Sequence, residues 1–70
     1  MRIMDFIDRI LKLLMDSRWH TIEEVEQKIS VPSHNIHYAL GFLQDQAFVN
    51  MENDMIIITP RGLKLMELQA

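Results

Sequence analysis

The spacing of apolar residues changes twice along this chain, and that alone removes most folds. Through Gln46 they recur every three or four positions; from Phe48 to Ile58 they form short β-branched and aromatic runs; beyond Thr59 the helical spacing returns. Helices and strands impose different side-chain periods, so each stretch is committed to one kind of element. The expected fold class is mainly α with a small β-hairpin: a three-helix core, two strands, and a C-terminal helix. A chain of 70 residues makes one domain with a modest core.

The first helix should run from about Ile3 to Asp16. At the helical step, Ile3, Phe6, Ile7, Ile10, Leu13 and Leu14 share one arc. Met4, Leu11 and Met15 widen that arc to roughly 200°, more than one packing face requires. Two readings of the surplus stand open. These residues pack under the C-terminal helix of the same chain, or they are exposed and form a seam with a second copy.

Thr21-Ile22-Glu23-Glu24 reads as a capping box, with Ile22, Val25 and Ile29 as the apolar face of a short second helix. Pro32 disfavours helix at Val31 and suits the first turn of a third helix, from Pro32 or Ser33 to Gln46. Ile36, Ala39, Leu40 and Leu43 form its buried stripe, and Gly41 weakens it by about 1 kcal/mol relative to alanine. Phe48–Met51 and Met55–Ile58 read as strands around a tight turn at Glu52-Asn53-Asp54, where Asn53 tolerates positive φ. Thr59 is the N-cap and Pro60 the first residue of a last helix, which ends near Leu68.

Several of these stretches resemble small prokaryotic winged helix-turn-helix regulators, especially archaeal ones. They are Thr21-Ile22-Glu23-Glu24-Val25, Ile29-Ser30-Val31, Ile36, Leu40 and Leu43 with Ala47-Phe48-Val49, and Ile58-Thr59-Pro60-Arg61-Gly62. The resemblance covers about residues 5 to 68. It implies a winged helix-turn-helix with a two-stranded wing, transcription regulation through double-stranded DNA, and a homodimer built on the first and last helices. The seam would then hold Met4, Leu11, Met15, Leu65 and Leu68. Two departures stand out. The family often has glycine where Ala47 stands, and its third helix and wing usually carry Arg or Lys.

Charge bears directly on that second point. The net charge is −3, and the seven cations are Arg2, Arg9, Lys12, Arg18, Lys28, Arg61 and Lys64, with none from Ile29 through Pro60. Phosphate contacts would therefore come from the edges, through Arg18, Lys28, Arg61 and Lys64. Ser33, His34, Asn35, His37 and Tyr38 would face the groove, since Asn can bond adenine and Tyr can bond phosphate. The alternative is a protein-interaction module that presents the uncharged third helix and acidic wing to a partner.

Other function classes find no residues to support them. Cysteine is absent, which excludes disulfides and thiolate chemistry. No nucleophile–base pair, phosphate loop or ligand set implies an enzyme, a cofactor or a metal site; the His34 and His37 pair lacks a local acidic third ligand. No run approaches the length of a membrane span, and charged residues interrupt the first apolar segment, so a cytoplasmic location is expected. Trp19, just before the second helix, has two readings: a contact for a partner, or, as expected here, a ring packed into the core over the entry to that helix.

Overall fold

Helix α1 (Ile3–Leu13) forms where the apolar arc is widest and stops earlier than its periodicity suggests. Ser17 takes a left-handed φ of 59°, and its amide bonds back to the Leu14 carbonyl at 3.1 Å, closing the chain into a turn. The computed structural model describes residues 3–30 and 32–69, with the side chains of 6–30, 32 and 34–68. After α1 come β1 (His20–Thr21), α2 (Ile22–Lys28), α3 (Ser33–Asp45), β2 (Val49–Glu52), β3 (Met55–Ile58) and α4 (Pro60–Gln69). The described residues thus form four helices and a three-stranded antiparallel sheet of order β1-β3-β2, an arrangement compatible with a winged helix.

The third strand corrects the expected two-stranded wing. His20 pairs with Ile56 and Thr21 with Met55, and the Ile22 amide bonds the Asp54 carbonyl at 2.9 Å. Two residues cannot display a period of two, so nothing in the apolar pattern announced this strand. The hairpin itself is as expected. Glu52 pairs with Met55 across a two-residue turn in which Asn53 and Asp54 have φ of 48° and 57°. Positive φ at both central positions is the type I′ signature, whose twist matches that of the flanking strands.

The core is aliphatic. Ile10, Leu11 and Leu14 meet Val25 from α2, Ile36, Leu40 and Leu43 from α3, and Val49 and Ile56 from the sheet, all essentially inaccessible to water. α1 packs against both α3 and α4. That double contact absorbs much of the apolar surplus and corrects one expectation: Leu11 is 1% exposed, so it belongs to the core and is not available to a seam. Met15 lies beyond the end of α1 and stays 47% exposed. A second correction concerns Trp19, which is 43% exposed rather than buried. The aliphatic side chains fill the core, and Trp19 sits just outside the sheet, ahead of β1.

Helices α3 and α4 are locked together by a compact joint. The Ala47 amide bonds the Gln44 carbonyl at 3.0 Å and the Phe48 amide bonds the Leu43 carbonyl at 2.9 Å. This is a Schellman closure, with Ala47 at φ 61° where glycine is usual. The Thr59 hydroxyl then donates to the Ala47 carbonyl at 2.7 Å and accepts from the Gly62 amide at 3.1 Å, capping α4. Arg61 Nε donates to the Gln46 carbonyl at 2.9 Å, and its guanidinium lies 5.1 Å from the centroid of the Phe48 ring. Gly62 is obligatory here, because a Cβ would come within 2.3 Å of the Phe48 carbonyl oxygen and 2.7 Å of Ile58 Cγ1.

Candidate nucleic-acid interface

Burial divides α3 into two faces. Ile36, Ala39, Leu40 and Leu43 are buried, whereas His34, Asn35, His37, Tyr38, Gly41 and Phe42 are exposed. Tyr38 is 71% exposed. His37 Nε2 lies 3.6 Å from Glu26 of α2, which holds that imidazole at the edge of the outward face. Pro32 provides no side-chain cap for α3, and its carbonyl accepts from the amides of Asn35 and Ile36. An uncapped helix start leaves amide donors able to receive an anion. Ser33 belongs to that turn, but its side chain lies outside the described residues, as does that of Met4.

The four cations expected at the edges are not gathered in one place. Lys28 ends α2, just before the turn into α3, and stands 3.9 Å from Glu24. Arg61 is tied to the opposite end of α3 through Gln46. A helix of 13 residues is roughly 20 Å long at about 1.5 Å per residue, so these two charges bracket its outward face. Lys64 is exposed on α4, and Arg18 is exposed in the connection before β1, its amide bonded to Asp16 at 3.0 Å. Between the brackets the face carries no fixed positive charge.

Two features were missed from the sequence. Arg9 and Lys12 join Lys28, Leu13, Ile29 and Ser30 around an open cleft of about 450 Å³ between α1 and the end of α2. Their spacing of three put both on one helix face, which was a legible signal. The second feature is His20. Its Nε2 lies 2.9 Å and 3.0 Å from the two carboxylate oxygens of Asp16, and its Nδ1 lies 2.6 Å from Glu24. The Asp16 hydrogen bond raises the His20 pKa above its ordinary value; burial opposes this, and Glu24 adds to the rise. The same bond, with that from the Arg18 amide, lowers the Asp16 pKa. His20 thereby ties the end of α1, β1 and α2 together. Spacings of four on each side of His20 hinted at this only if one helix ran through all three residues, and none does.

The expected seam residues divide. Leu65 is partly buried against the core, while Met15 and Leu68 remain exposed, Leu68 at 77%. Among the described residues no group of His, Asp and Glu could hold a metal ion, and no helix is long and apolar enough to cross a membrane. No family model, curated protein or solved structure matches the chain.

Proposed function

We propose that this chain is a cytoplasmic DNA-binding transcription regulator of winged-helix type that works as a dimer. The observation that carries the reading is the two-faced α3. Its inner face is buried against α1 and α2, and its outer face offers His34, Asn35, His37 and Tyr38 to a groove. Lys28 at one end and Arg61 with Lys64 beyond the other would take phosphates on the flanking backbone, and the uncapped start of α3 would take another. Met15, Leu65 and Leu68 are the apolar residues left for a seam between protomers.

Few cations serve this surface, so one protomer should bind weakly and with a mild salt dependence. The four edge cations Arg18, Lys28, Arg61 and Lys64 correspond to a log–log slope of about −3.6 per protomer at about −0.9 per phosphate, and twice that for a dimer. A titration against random duplex DNA at several salt concentrations measures this slope. Lys28→Ala and Lys64→Ala should each reduce it by about one per protomer. A slope unchanged in both variants would remove the edge contacts. Absence of binding even at low salt would favour the second reading, a protein-interaction module. That reading has its own support: the exposed Tyr38 and the 42% exposed Phe42 share α3 with no cation at all.

A further inference from the structure

Tryptophan is large and on average well buried, and Trp19 is 43% exposed. With Met55, Glu52 and Asn53 it lines an open cleft of about 310 Å³ beside the hairpin tip. Both walls are held by backbone. β1, which follows Trp19 directly, pairs with β3, and the Ile22 amide bonds the Asp54 carbonyl at 2.9 Å. The type I′ turn at Asn53 and Asp54 fixes the tip. The backbone on both sides of the cleft is therefore set before anything binds.

Its chemistry is specific. Trp19 and Met55 supply an apolar floor and Glu52 a carboxylate; Asp54, the next residue of the turn after Asn53, is a second carboxylate in the same hairpin but does not line the cleft. Among the described residues neither carboxylate has a cationic partner, and no Lys or Arg occurs from Ile29 through Pro60. The indole Nε1 likewise has no hydrogen-bond partner among them. An apolar floor with an unanswered acidic rim repels phosphate and attracts a cation, and the indole face is the best aromatic partner for one.

We infer that this cleft docks a positively charged peptide segment of a partner protein, with an arginine or lysine stacked on Trp19 and its charge met by Glu52. The surface is separate from the outward face of α3 and does not rest on DNA binding. A central tryptophan ringed by weaker polar contacts is the composition of an interface anchor.

Trp19 is the single tryptophan of the chain, so its fluorescence reports the cleft directly. The probes are a ten-residue peptide alternating arginine and leucine, its glutamate–leucine counterpart, and a 20-base-pair duplex, each titrated at low salt. The arginine peptide should change Trp19 emission saturably, with amide shifts in nuclear magnetic resonance centred on residues 19 and 52–55. Glu52→Gln and Asp54→Asn, both at exposed positions, should each weaken it several-fold, and the pair by about tenfold or more. Trp19→Phe, followed by the amide shifts, should weaken it by a similar factor. Four results would each overturn the proposal: no saturable change with the arginine peptide, an equal response to the glutamate peptide, affinity indifferent to the two carboxylate variants, or emission that tracks protein concentration alone. The last would place a second copy of this chain in the cleft. Competition by the duplex for the same residues would assign the cleft to nucleic acid and also overturn it.

Discussion

Replacing Ala47 with glycine should stabilise the protein, although glycine usually weakens a chain. Ala47 holds φ at 61° in the closure that ends α3. A left-handed conformation costs a residue with a Cβ about 1–2 kcal/mol, which glycine avoids. Glycine loses about 0.5–1 kcal/mol more backbone entropy on folding. The Ala47 methyl is exposed, so its removal leaves no cavity. The balance is a gain of about 0.7 kcal/mol, or about 3–6 °C in Tm for a domain of this size. Gly62→Ala makes the opposite case in the same joint. Its Cβ would meet the Phe48 carbonyl oxygen at 2.3 Å, and that oxygen already accepts from the Thr59 amide at 3.0 Å and cannot easily withdraw. Overpacking of this kind costs about 1–3 kcal/mol or more. Urea unfolding followed by circular dichroism measures both, with similar slopes required so that midpoints report stability. A lower midpoint for Ala47→Gly, or an unchanged one for Gly62→Ala, would refute the joint as described.

A Cβ added at Gly41 would meet no heavy atom within 4 Å, so Gly41→Ala should raise stability by about 0.8–1 kcal/mol on helix propensity alone; a loss in the same unfolding assay would mean that residue 41 is not on a free helix face. Leu40 is 1% exposed in the centre of the core, and Leu40→Ala should cost about 2–5 kcal/mol, with a loss under about half a kcal/mol contradicting the α3 register. His20 has a raised pKa, so its stabilising effect is complete below about pH 6.5 and is lost as pH rises through the raised value; midpoints should fall as pH rises above 6.5, and less so in His20→Gln. Asp16 has a lowered pKa, so its effect is present above 3.8 and is lost as pH falls below that; an acid limb that began well above 3.8 and vanished in Asp16→Asn would contradict the geometry.

The helices and the hairpin were legible because each rests on a repeating apolar pattern longer than one turn. What escaped has no such pattern. β1 is two residues long and exists only because β3 offers it a partner. The surplus on α1 was real as a pattern, but α1 packs against both α3 and α4, and local periodicity does not contain how many neighbours a helix has. Glycine misled in a different way. Among the described residues, Ser17, Ala47, Asn53 and Asp54 have left-handed backbone, and none of them is glycine; both glycines lie inside helices. Turn positions read from glycine alone would have been misplaced at every one of these sites.

The stretch that most supports the family resemblance has a structural duty at nearly every position. Thr59 caps α4 and bonds Ala47, Pro60 opens the helix, Arg61 covers the end of α3, and Gly62 admits the Phe48 carbonyl. Any chain that joined a third helix to a fourth in this way would need much the same residues, whatever its outer surface touched. Arg61 illustrates the consequence: its Nε is spent on Gln46, so Arg61→Ala would weaken the joint as well as any phosphate contact, and lost DNA binding in that variant would not separate the two. Function therefore has to be sought in residues that the fold does not use. His34, Asn35 and Tyr38 are free in that sense on α3, and Trp19 and Glu52 are free beside the hairpin. Substituting these residues changes what the surface offers while leaving the joint and the core intact, which makes them the positions where nucleic-acid and protein partners can be told apart.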